Sequence, residues 1–163
     1  TPFAPAMCGR GQGTLVGIAS VAGIRGLPGA GAYSASKAAA IAYLESLRVE
    51  LRSSGVRVVT IAPGYVRTPM TAGNAYRMPF LTDADVFARC AVDAIARGRS
   101  FVVIPWPMRA VALGLRALPN WLFDALFARA PRKGRLVEGR VDEGRVDRGP
   151  VDEGPVDDGA GRP

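Results

Sequence analysis

Nineteen consecutive residues, Tyr33 to Leu51, contain neither glycine nor proline, and a short apolar run lies on each side of them. The stretch is rich in Ala, Leu and Glu, which favour helix. Ala40, Ile41, Leu44, Leu47 and Leu51 form one apolar stripe at helical spacing. Gly55 follows where a helix is commonly closed. Before the stretch, Thr14-Leu15-Val16-Gly17-Ile18-Ala19 is short and apolar, as a buried parallel strand is. After it, Val56-Arg57-Val58-Val59-Thr60-Ile61 is β-branched and bounded by Pro63-Gly64. Strand, long helix and strand in this order predict two parallel strands joined by a helical crossover.

The alternation continues. Thr82 with Asp85 three residues on predicts a capping box, with Asp in place of the usual Glu or Gln. The helix it opens runs to Arg97 and stops at Gly98. Phe101-Val102-Val103-Ile104 is a third strand. The expected class is α/β with a parallel sheet.

Composition narrows the chemistry. At 163 residues and 48% hydrophobic, the chain suits about one domain with a core. It has no histidine. That excludes Ser-His-Asp triads, Cys-His pairs and histidine zinc sites. Cys8 and Cys90 are read as two reduced thiols. The net charge is +7, almost all of its cations being arginines scattered singly, such as Arg25, Arg48, Arg52 and Arg57. No basic run is interleaved with aromatics, so no nucleic-acid partner is expected.

The two ends are unlike the middle. Thr1 to Met7 lacks the basic and apolar regions of a signal peptide and resembles the end of a helix entered partway. From Gly134 a five-residue pattern takes over, as in Gly149-Pro150-Val151-Asp152-Glu153 followed by Gly154-Pro155-Val156-Asp157-Asp158. One valine per repeat cannot bury a core, so disorder is expected there. The division expected is 1–131 as the folded part and 132–163 as a low-complexity tail. That tail holds seven basic and eight acidic residues, which leaves +8 on the body. Residues 105–130 are apolar and aromatic but interrupted by Arg109, Arg116, Asp124 and Pro119, so they do not span a membrane. They are expected to form a lid or dimer-facing helix pair over a substrate cleft, the alternative being peripheral contact with a membrane surface. Their Trp and Phe content suits an apolar substrate. A cytoplasmic location is expected.

The chemistry lies between the first strand and the long helix. Tyr33-Ser34-Ala35-Ser36-Lys37 sets a phenol and an ammonium one helical turn apart on one face. An adjacent ammonium favours the phenolate, which suits the tyrosine to give and take a proton. Ser20, thirteen positions before Tyr33, follows the strand where its hydroxyl could hold a substrate oxygen. Chance would produce the Ser, Tyr and Lys at these offsets roughly 0.002 times in such a composition, which makes the set specific. Ser34-Ala35-Ser36-Lys37 also fits the S-x-x-K of penicillin-recognising enzymes, but neither S-D-N nor K-T-G occurs in the chain.

Ser20 in Ile18-Ala19-Ser20-Val21-Ala22-Gly23, Tyr33 with Lys37, and Pro63-Gly64-Tyr65-Val66-Arg67-Thr68 resemble, in order, the signature of the short-chain dehydrogenase/reductase family. The strong part of the resemblance runs from about Met7 to Thr71, and a weaker part to about Pro131. It implies a Rossmann-type doubly wound parallel sheet. It implies NAD(P)-dependent hydride transfer interconverting an alcohol and a ketone or aldehyde. By the same resemblance Tyr33 is the acid/base, Ser20 orients the carbonyl, and Lys37 also bonds the nicotinamide ribose. Pro63, Gly64, Val66 and Thr68 would line the nicotinamide, with Thr68 near its carboxamide. A homo-oligomer and a small carbonyl or alcohol substrate are the implied partners.

One departure is large. The family's glycine-rich phosphate loop follows its first strand, whereas Gly9-x-Gly11-x-Gly13 here precedes a strand. The chain therefore resembles the C-terminal, catalytic half of such an enzyme, with the N-terminal strands absent. The residues that choose between NAD and NADP fall outside it. Thr14 to Ala19 would then be an exposed apolar edge. The alternative function is a non-catalytic remnant or partner-binding fragment that retains the motifs by descent.

Overall fold

The computed structural model describes residues 2–72 and 77–128. The repeats beyond Gly134 lie outside these residues. The chain opens with a short helix, α1 (Ala4–Gly9), and turns through Gly11 into β1 (Gly13–Ile18). A single 3-10 turn, Val21–Gly23, and a Gly/Pro-rich loop lead into α2 (Gly31–Glu50). The long helix thus starts two residues earlier than Tyr33 and ends one short of Leu51. Hydrogen bonds from Leu51, Arg52 and Ser54 carry on as a turn. Gly55, at φ +74°, then reverses the chain, and a Cβ there would meet the Gly11 carbonyl.

β2 (Val56–Pro63) pairs parallel to β1, with Leu15 opposite Val58 and Ile18 opposite Ile61. After Gly64 the connection carries structure of its own. β3 (Val66–Arg67) pairs parallel to β4 (Thr82–Asp83), with α3 (Pro69–Ala72) between them. An exposed Arg67–Asp83 ion pair of 2.8 Å closes this small ladder, a contact worth about 0–1 kcal/mol. The capping box is not formed. Thr82 is taken into β4, and its hydroxyl donates to the Phe80 carbonyl. α4 (Ala84–Ala96) instead starts after Asp83, whose side chain makes no capping bond. Strand pairing has outcompeted the cap. β5 (Phe101–Ile104) pairs parallel to β2 on its far side, so the sheet order is β1-β2-β5. Two helices follow, α5 (Pro107–Ala117) and α6 (Asn120–Phe127), divided at Pro119 as the sequence predicts. None of the helices among the described residues is long and apolar enough to cross a membrane.

The alternation of side chains along each strand gives the sheet two faces. On one face Ala62 and Val103 pack with Val21, Met108 and Ala112, so α5 closes that side beside α2. Gly17 lets α2 come close, since a Cβ there would sit 2.1 Å from the Leu44 Cδ1. On the other face Val59, Ile61 and Ile104 pack on Ala91, with Phe87 and Ile95 around them. α4 thus covers β2 and β5. The same face of β1 is open: Val16 and Ile18 are 40% and 51% exposed. β1 is an apolar edge, as expected from the sequence.

Candidate active site

The C-terminal ends of the three sheet strands come level, which is where open parallel sheets gather functional groups. Ser20 lies two residues beyond β1 in extended backbone and is buried. Its Oγ accepts a 3.2 Å hydrogen bond from the Ala22 N–H and so caps the 3-10 turn. The hydroxyl proton has no other protein partner among the described residues. That turn packs directly on α2. A Cβ on Gly23 would lie 2.7 Å from the Lys37 carbonyl carbon, so only glycine permits this approach.

Lys37 sits in the second turn of α2 and Tyr33 in the first. The Lys37 Nζ donates to the Ile18 carbonyl at 3.2 Å. It also lies 5.8 Å from the centroid of the Tyr33 ring, within the range in which a cation is attracted to the ring face. The ammonium therefore links the Tyr33 ring to the end of β1, two residues before Ser20. Tyr33 is half exposed. Buried Ser34, beside it, accepts from the Leu27 N–H at 3.2 Å and fixes the loop ahead of the helix.

Pro63 ends β2 two residues past the Ile18–Ile61 pair, as Ser20 lies two residues past the end of β1. The Gly64 N–H donates to the Ile104 carbonyl at 2.7 Å, and its missing Cβ leaves room for Met108, whose Cγ would be 2.8 Å away. Val66 and Thr68 follow on the chain leaving β2, both half-buried. The Thr68 N–H donates to Thr71 Oγ1 at 2.9 Å, and Thr71 Oγ1 in turn donates to the Val66 carbonyl at 2.8 Å. Thr68 is thus drawn into a local turn with Thr71. Ser20 follows the end of β1, Lys37 bonds to that strand end with the Tyr33 ring beside it, Pro63 and Gly64 lie at the same end of the next strand, and Val66 and Thr68 on the chain beyond.

One residue of this region was not singled out by the sequence. Arg25, in the loop between Ser20 and Tyr33, donates through one nitrogen to the Leu115 carbonyl at 2.7 Å and to the Leu118 carbonyl. Its other terminal nitrogen reaches Asn120 Oδ1 at 2.9 Å, and the guanidinium lies 4.0 Å from the Phe123 ring centroid. The α5–α6 corner is therefore fastened to the loop that precedes the tyrosine. Its partners lie ninety and more positions away, and three of these contacts are to backbone or an amide, so no local pattern announces them.

The residues expected to line a nicotinamide, Pro63, Gly64, Val66 and Thr68, lie at the end of β2 and on the chain just beyond it. The pyrophosphate is another matter. The Gly9, Gly11 and Gly13 series runs from α1 into β1, helix to strand, the reverse of the strand-to-helix turn that cradles a phosphate.

The family model for short chain dehydrogenases matches residues 1–77. An uncharacterized oxidoreductase of Myxococcus xanthus is 46% identical over 125 residues, covering 77% of this chain and 49% of that protein. Dehydrogenase/reductase SDR family member 7B of Bos taurus is 34% identical, over 80% of this chain and 44% of its own length. Among solved structures, a short chain dehydrogenase from Burkholderia cenocepacia in complex with NADP aligns at a TM-score of 0.60 and 29% identity. It covers 77% of this chain and 51% of that one. The chain spans about half the length of the curated relatives it matches.

Proposed function

Because the chain belongs to the short-chain dehydrogenase/reductase family, we propose that it is the catalytic half of an NAD(P)-dependent oxidoreductase acting on an alcohol or a carbonyl. The observation that carries this reading is Lys37, which contacts both the Tyr33 ring and the end of the strand leading to Ser20. Tyr33 would exchange a proton with the substrate oxygen at its Oη. Ser20, with its Oγ lone pair engaged by the Ala22 N–H, keeps its O–H for that same oxygen. The Lys37 ammonium would stabilise the phenolate left on Tyr33 and orient the ribose. Pro63, Gly64, Val66 and Thr68 would wall the nicotinamide. Bound NAD or NADP would supply the hydride acceptor or donor. The α5–α6 corner, held by Arg25, would bound the substrate side, with an apolar substrate favoured by Phe123 and Phe127, stacked at 4.5 Å.

The test is a chimera that joins the N-terminal half of the Myxococcus xanthus relative to this chain. It is expected to bind NADH or NADPH and consume it with ketones, monitored by nicotinamide fluorescence. A chimera that folds and binds the nucleotide yet turns over no carbonyl or alcohol in a broad panel would support the non-catalytic reading instead.

A further inference from the structure

A cleft of about 540 Å³ opens on the α2 and α5 side of the sheet. It runs from Gly23 and Ile24 down to Arg99 and Ser100, where β5 begins, and so leads away from the strand ends that carry Ser20 and Tyr33. Its size is that of a small-molecule site.

Its lining is ordered by helical spacing. On α5, Arg109, Ala112, Leu113 and Arg116 stand at i, i+3, i+4 and i+7, so one face presents apolar residues between two arginines. On α2, Ile41, Glu45 and Arg48 form the facing row at i, i+4 and i+7. Phe101 and Val103 supply an apolar floor from β5, and Trp106 stands at the side, 80% exposed. Four arginines thus surround an apolar slot with one glutamate among them. None of the four forms an ion pair among the described residues, where the pairs formed are Arg67–Asp83 and Arg97–Asp93.

We propose that this cleft binds a long-chain acyl anion, with the hydrocarbon along Ile41, Leu113 and Phe101 and the carboxylate held by the arginines. Guanidinium groups take carboxylates in forked pairs, and these are among the stronger hydrogen bonds. A neutral ligand would leave the excess of positive charge unmatched, and a free inorganic anion would leave the apolar floor wet. The ligand must therefore carry both parts. This site is independent of the proposed catalysis, since it contains neither Tyr33 nor Lys37.

The test uses the full 163-residue chain with Trp121→Phe, which leaves Trp106 as the sole tryptophan. Laurate below its micelle-forming concentration should shift Trp106 emission in a saturable, salt-sensitive way. Dodecanol and inorganic phosphate should bind about tenfold or more weakly. Arg48→Gln with Arg116→Gln should weaken laurate by a similar factor while circular dichroism is unchanged. Leu113→Glu, at a 60% exposed position, should do the same should the double variant fail to fold. Any of four results would overturn the proposal. These are no Trp106 response to laurate, equal affinity for dodecanol, and folded variants that bind laurate unchanged. The fourth is a response that varies with protein concentration or is abolished by a peptide of residues 149–158, which would give the cleft to a second copy or to the chain's own acidic repeats.

Discussion

Lys37 donates from Nζ to the Ile18 carbonyl across 3.2 Å and ties the second turn of α2 to the last residue of β1, two before Ser20. The bond spans nineteen positions of sequence, and it works only because the intervening turn lies flat on the helix. Gly23 makes that possible by having no side chain where the Lys37 backbone passes.

Gly23→Ala should therefore disturb the site without touching a reacting group. The new methyl meets backbone atoms 2.7–2.9 Å away, which cannot rotate aside. Overpacking of this kind costs about 1–3 kcal/mol. Chemical denaturation should show a loss in that range, and in the chimera turnover should fall together with it. An unchanged midpoint would mean that the turn and helix separate freely.

Arg25→Leu should free the α5–α6 corner. It removes charge-assisted bonds to the Leu115 and Leu118 carbonyls and to Asn120, along with the stacking on Phe123. The expected loss is about 1–3 kcal/mol. Faster amide exchange confined to 107–127, with β2 still protected, is the predicted result. Uniform exchange across the chain would show that the corner is not a separate unit.

The strands and helices were readable because their signals are local. β-branched runs at 56–61 and 101–104, bounded by Pro63-Gly64 and Gly98, read as strands, and the Gly/Pro-free stretch from Tyr33, rich in Ala, Leu and Glu, favours helix. The Ser, Tyr and Lys spacing was readable for the same reason. What escaped was set by distant partners. Thr82 looked like a cap until Val66 paired with it as a strand. Arg25 looked like one more scattered charge because its acceptors lie on α5, on α6 and between them, near the far end of the described chain. The tail, expected to be disordered, lies outside the described residues.

The open face of β1 predicts self-association. Val16 and Ile18 lie exposed on β1, which pairs with no strand on its outer side among the described residues, and this is the arrangement that pairs with other chains. Sedimentation of the freshly purified chain should show oligomers. Val16→Thr with Ile18→Thr should shift it toward monomer, and so should co-expression with a glycine-rich N-terminal half. A clean monomer with a cooperative melt would contradict this.

The chain by itself is expected to bind neither NADH nor NADPH measurably. Its glycines at 9, 11 and 13 lead from helix to strand and offer no phosphate cradle. Titration by nicotinamide fluorescence checks this, and saturable binding to the isolated chain would show that the dinucleotide is held by the residues present.

The most direct measurement is the turnover of the chimera carrying Tyr33→Phe. This removes one hydroxyl and leaves Lys37, Ser20 and the packing of α2 in place. The account predicts nucleotide affinity unchanged and carbonyl reduction slowed by about two to four decades, the usual worth of general acid/base catalysis. Turnover at the parent rate, with the nucleotide bound as before, would contradict the assignment of Tyr33 as the proton donor.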